Sequence, residues 1–119
     1  MSKTDIVQRG WNAFAAGDFD TLAADYTEDM LFIMPGQTDV LEGRAAFRSA
    51  LDGIGDSIPP GFDITGMRHM EGTDEVVTIV EWKSDKMPAS QLAILFKFRG
   101  DLVCEERWFV DTEQWKGSF

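Results

Sequence analysis

The sequence predicts an α+β domain: a curved antiparallel sheet whose concave face is covered by three helices from the N-terminal half. Three observations predict it. Helix-spaced apolar residues are confined to the first half, at Ile6, Val7, Trp11 and Phe14 and again at Phe47, Leu51 and Ile54. From Phe62 onward the period changes, and four strand-length segments follow one another across short turns. The 119 residues are 44% hydrophobic, with nine Phe and four Trp, which makes 1–119 a single domain with bulk enough for a core.

Each element has its own local reason. Thr4 or Asp5 can cap the first helix and Gly17 can stop it in the left-handed conformation. Asp18 or Asp20 then caps a short second helix that turns Leu22, Ala23 and Tyr26 inward. Met30-Leu31-Phe32-Ile33-Met34 is a short apolar run closed by Pro35-Gly36, the signature of a buried strand ending in a turn. Gly43 to Ile54 returns to helical spacing, and the glycines and prolines from Gly53 to Gly61 end it. The four strands are Phe62–Met70, Glu75–Lys83, Ser90–Arg99 and Leu102–Asp111. Turn chemistry at Gly72-Thr73-Asp74, Ser84-Asp85-Lys86 and Gly100-Asp101 joins them into a meander. A concave sheet capped by helices leaves a space at its open end, where a small molecule can sit.

Charge and cysteine content narrow the partners. Asp and Glu number 21 against 11 Lys and Arg, a formal charge of −10, which repels phosphate backbones and anionic bilayers. Neither nucleic acid nor membrane is an expected partner, and no segment reaches the roughly 20 apolar residues of a membrane helix. One cysteine, Cys104, cannot staple the fold, and the opening Met1–Asp5 lacks the apolar stretch of a signal peptide. Together these lead us to expect a cytoplasmic protein. A single histidine beside a single cysteine cannot make an ordinary zinc site, the acids are scattered, and no phosphate loop or nucleophile elbow is present. Neither a metal nor a cofactor is expected.

Few residues are left for chemistry. His69 is the one side chain that titrates near neutrality, either as an acid/base in the cavity or as a hydrogen-bonded histidine near a strand end. Glu105 and Arg107 share one face of the last strand. Facing inward they form a polar anchor; facing solvent they are an ordinary ion pair. Cys104 reads as a packing thiol, because its neighbour Glu106 would raise its pKa. The aromatic residues suit a flat hydrophobic ligand.

Ala15-Ala16-Gly17-Asp18-Phe19-Asp20-Thr21-Leu22, Tyr26-Thr27-Glu28-Asp29, Pro35, Glu42-Gly43-Arg44-Ala45-Ala46-Phe47 and the closing Glu105–Asp111 resemble the nuclear transport factor 2-like superfamily. Within it the chain is most similar to the SnoaL-like and ketosteroid-isomerase-related branch. The resemblance spans nearly the whole chain and implies a cone-shaped fold with a deep apolar pocket. It also implies a homodimer through the outer sheet face. The family's catalysts do not carry over: its tyrosine, base and second-acid positions fall at Gly10, Met34 and Ile94, and the aspartate of the SnoaL-type cyclases falls at Trp108. The same alignment turns Met67, His69, Ile94, Phe96, Glu105, Arg107 and Phe109 inward. On the last strand hydrophobicity favours the opposite face, that of Trp108; the alignment is followed because a dimer would bury Trp108.

The resulting expectation is a pocket for a small hydrophobic molecule. Its ligand-binding residues are Trp11, Phe14, Met34, Met67, Ile94, Phe96, Arg107 and Phe109. Its activity would be isomerase, dehydratase or cyclase-type proton transfer by His69, with Glu105 or Glu81 assisting and Arg107 gripping the polar end. A non-catalytic carrier is the alternative, and a scaffold whose cavity is plugged by its own Met and Phe side chains is a third reading.

Overall fold

In a computed structural model that describes residues 1–119, helix α1 (Lys3–Ala15) starts under a capping box. The Ser2 hydroxyl accepts from the Asp5 N–H at 3.1 Å, and the Asp5 carboxylate accepts from the Ser2 N–H at 3.2 Å. The cap is therefore Ser2 rather than Thr4 or Asp5. Gly17, with φ +71°, stops the helix as expected, and Asp18 caps α2 (Phe19–Ala24).

Strand β1 runs over Tyr26–Ile33, four residues earlier than expected, because an irregularity between Tyr26 and Leu31 breaks the alternation. That slip leaves Glu28 and Asp29 exposed in mid-strand, where they read locally as a loop. A three-residue edge strand β2 (Val40–Glu42), too short to register in the sequence, folds back on it. Helix α3 (Arg44–Leu51) is followed by a single 3-10 turn, Ile54–Ser57, so the expected helix to Ile54 breaks around Gly53.

The meander is β3 (Asp63–Gly72), β4 (Glu75–Lys83), β5 (Ser90–Arg99) and β6 (Leu102–Phe109). The sheet order is β2-β1-β6-β5-β4-β3; every pair is antiparallel except β1 with β6, which is parallel. Helix α1 packs on β3 and β4, and α2 and α3 pack on β1, so the three N-terminal helices cover the concave face. Asp111 does not end the last strand. Its carboxylate caps a further helix α4 (Thr112–Gly117), whose buried Trp115 stands 5.6 Å from Trp82, 5.9 Å from Phe62 and 6.3 Å from Trp108, ring to ring. No helix is long and apolar enough to cross a membrane.

The register decides which side chains meet. On β5, Leu92, Ile94, Phe96 and Phe98 face the helices, as their spacing predicts, and on β4 the register turns Val76, Thr78, Val80 and Trp82 the same way. On β6, Glu105 pairs with Lys97 but Val103 pairs with Phe98, so Cys104 is an extra residue. This bulge turns Val103 inward and then Glu106 and Trp108 inward as well.

A cavity floored by a buried carboxyl group

A cavity of about 120 Å³ opens between the helices and the β1–β6–β5 part of the sheet. Its walls follow from the elements just described. Helix α1 contributes Gly10, Trp11 and Phe14, β1 and its end contribute Tyr26, Phe32 and Met34, and α3 contributes Phe47. Phe96 and Trp108 close the sheet side. Trp11 lies 6.4 Å from Trp108 and 6.3 Å from Phe14, and Phe32 lies 6.4 Å from Trp108, so aromatic rings bound the space on several sides.

Among these apolar walls stands Glu106, 6% exposed. The Tyr26 hydroxyl donates to its Oε1, and the Trp108 indole N–H donates to its Oε2 at 2.7 Å. Burial raises the Glu106 carboxyl above its ordinary value, an effect the two donors partly oppose. Burial, with the Glu106 charge adding to it, also pushes the Tyr26 phenol well above its usual range. Asp25, the other carboxylate on the wall, is held by Arg9 through Nε at 2.8 Å and Nη2 at 2.5 Å. The Trp11 indole N–H is buried without a partner. Three metal-ligating side chains converge nowhere in the chain.

Of the residues singled out from sequence, Trp11, Phe14, Met34 and Phe96 stand on the cavity wall. Ile94 is fully buried in the core behind it, and Met67 packs against that core from β3, away from the cavity. His69 does face the helices, opposite Thr78, but outside the cavity. Its Nε2 donates to Gln8 Oε1 at 2.8 Å and its Nδ1 accepts from the Thr78 hydroxyl at 2.8 Å, so the ring pins α1 to the sheet. Burial lowers its pKa and favours that neutral form.

The inward orientation given to Glu105, Arg107 and Phe109 is corrected by the bulge at Cys104, which puts all three on the outer face. There Glu105 meets Arg107 at 3.3 Å and Lys97 at 3.7 Å, Arg107 reaches Gln37 Oε1 at 2.8 Å, and Phe109 is 47% exposed. Glu81 also points outward, between inward Val80 and Trp82. Sequence reasoning passed over Glu106 and kept Tyr26 as plain core. The signal for Glu106 was its place two residues before Trp108, on the face that hydrophobicity favoured.

A family model described as SnoaL-like domain matches residues 7–106. No curated protein matches the chain. Among solved structures, the chain is similar to a candidate polyketide cyclase from Pseudomonas putida KT2440, with TM-score 0.81, 14% identity and 99% and 98% of the two chains covered. A second candidate polyketide cyclase, from Xanthomonas campestris pv. campestris, gives TM-score 0.76 and 20% identity over 98% and 95%. TerC, co-crystallised with polyporic acid, gives TM-score 0.75 and 16% identity over 98% and 96%. Likenesses at these identities establish a shared fold.

Proposed function

The chain belongs to the SnoaL-like domain family, and we propose that it is a small-molecule enzyme of the cyclase and isomerase kind, with Glu106 as the group that exchanges a proton with a compact, largely apolar substrate. The observation that carries this reading is the buried Glu106 carboxyl on an aromatic-walled cavity, with its pKa moved toward neutrality by burial. Tyr26 and Trp108 hold the carboxyl in place, one donor on each oxygen. Their bonds do for Glu106 what a positioned partner does for any acid/base: they fix its direction before the substrate arrives. His69 and Glu105, expected from sequence to act here, stand outside the cavity, so the chemistry passes to Glu106.

Hydrogen–deuterium exchange tests this without a known substrate. Small cyclic ketones in deuterated buffer should gain deuterium next to the carbonyl faster with the protein than without it. Glu106→Gln should slow that gain about 100-fold or more, the usual contribution of a positioned acid/base. Exchange that survives in Glu106→Gln would overturn the assignment.

One observation favours a second reading, a non-catalytic carrier. Arg9 already occupies Asp25, so Glu106 is the one carboxyl on the cavity wall without an ion-pair partner, and no second base faces it. TerC was co-crystallised with polyporic acid, which this reading also accommodates. A ligand recovered chemically unchanged after long incubation would support it.

We further propose that a second copy of the chain covers the outer sheet face, in a reducing compartment such as the cytoplasm. Val77, Ile79, Ala93 and Leu95 line that face only half-buried, next to exposed Phe109 and to Met70, which is 49% exposed. That apolar area supports a self-association surface. Cys104 is unpaired and half-buried, which supports the compartment.

A further inference from the structure

The geometry points to a selective cavity: it takes an uncharged, single-ring-sized molecule through a hydrogen-bond acceptor on that molecule, rejects anions of the same size, and binds its ligand together with a proton. This rests on Glu106 being the working group of the cavity, as proposed above, and it follows from counting hydrogens.

Tyr26, Glu106 and Trp108 make two links, Tyr26 Oη to Glu106 Oε1 and Trp108 Nε1 to Glu106 Oε2. An ionised Glu106 brings no hydrogen. The phenol and indole hydrogens then fill both links, and these three residues have nothing left to offer a ligand; the unpartnered Trp11 N–H is the same at every pH. A neutral Glu106 adds a third hydrogen to the same two links. Either Glu106 donates to the Tyr26 oxygen and frees the phenol hydrogen, or Tyr26 keeps its link and the carboxyl hydrogen is free. In both arrangements one donor is surplus, and the walls around it are almost wholly apolar. A donor left unmet there is unfavourable, so the neutral chain calls for an acceptor from outside: a ketone, an ether or a ring nitrogen.

Charge and size complete the description. No Lys, Arg or His lines the cavity; its ionisable wall groups are Asp25, Tyr26 and Glu106. The cations on the neighbouring elements are committed elsewhere, Arg107 of β6 to Glu105 and Gln37 on the outer face. Arg9 of α1 is on Asp25, and Arg44 of α3 is on the Tyr26 carbonyl oxygen at 3.2 Å and on Glu28 at 3.5 Å. From α3 and β5 the wall presents Phe47 and Phe96, without charge. A carboxylate or sulfate would therefore carry a charge into the apolar cavity with no cation to pair it in either state of Glu106. The volume of about 120 Å³ limits the ligand to one ring at most, since an apolar cavity of about 150 Å³ accommodates benzene.

Tryptophan fluorescence and calorimetry read this without turnover, because Trp11 and Trp108 both line the cavity. The probes are cyclohexanone, cyclohexanecarboxylate and methylcyclohexane, titrated between about pH 5 and pH 9. The ketone is expected to bind saturably, about tenfold or more tighter than either of the others. Its affinity should fall as pH rises, and calorimetry in buffers of different ionisation enthalpy should show proton uptake on the falling part. Glu106→Gln should retain ketone binding while losing the pH dependence, because its amide keeps a donor at all pH values. Equal binding of the carboxylate, equal binding of methylcyclohexane, a pH-independent ketone affinity in the unsubstituted protein, or no saturable binding of any probe would each overturn the proposal. Ketone binding without deuterium exchange would instead overturn the catalytic reading and leave this one standing.

Discussion

Glu106 is the residue where stability and function pull apart. Its carboxyl is raised above the ordinary value of 4.5 by burial, so the native chain holds a proton that the unfolded chain gives up. The sign follows from linkage: native stability falls as pH rises from that ordinary value through the folded one. His69 acts oppositely. It is lowered from 6.5, so its contribution is lost as pH falls. Comparing the protein with Glu106→Gln isolates the first effect. Urea midpoints across the pH range should show the loss with rising pH in the protein and a flatter profile in the variant, which keeps both Tyr26 and Trp108 within reach of a partner. Equal slopes would mean that Glu106 ionises freely and is not the buried, proton-holding group described above.

At the scale of elements, helix α1 carries a cost that the cavity explains. Gly10 sits inside the helix, where glycine is about 1 kcal/mol less favourable than alanine. It also lines the cavity, and a Cβ there would come 3.2 Å from the Leu22 Cδ1 methyl, a flexible side-chain end that can give way. Gly10→Ala is therefore expected to stabilise the fold by somewhat less than about 1 kcal/mol, read from the urea midpoint. The same methyl narrows the space beside Trp11, so cyclohexanone binding should weaken in that variant. A stabilised variant with unchanged binding would show that Gly10 serves no purpose in the cavity. Strand β6 makes a related point: the one-residue bulge at Cys104 moves Glu106 from the outer face to the cavity and Glu105 the other way, so a single extra residue decides which of two adjacent acids the site receives.

For the whole molecule, the outer sheet face is the surface that the proposed second copy covers. The proposed homodimer places Leu95 and Ile79 in the middle of the buried area, where a charge is costly. Leu95→Asp should convert a dimer in native mass spectrometry or sedimentation into a monomer, with secondary structure retained by circular dichroism. A protein that is monomeric before substitution would remove the proposal. The cavity lies on the opposite face of the sheet, under the helices, so ligand binding should survive in the monomer.

Local physics, read from the sequence alone, determined the fold class, the three covering helices, the meander and the inward row of β5; the register of β4 it left open. Helix stripes, caps and strict alternation are short-range properties, and nothing in those segments interrupts them. Spacing did not show which residues line the cavity; the deep apolar pocket, to which Trp11, Phe14, Met34 and Phe96 were assigned, came from the family resemblance. The β1 start, β2, α4 and the orientation of β6 were decided only in three dimensions. Each depends on a long-range event: an irregularity in pairing, a three-residue edge pairing, Trp115 packing against Trp82, or the bulge at Cys104. The acid of the site belongs to this second group. Glu105 and Glu106 are neighbours of the same chemistry, and only the strand register, set by pairing with β5, determines which of them leaves water for the cavity.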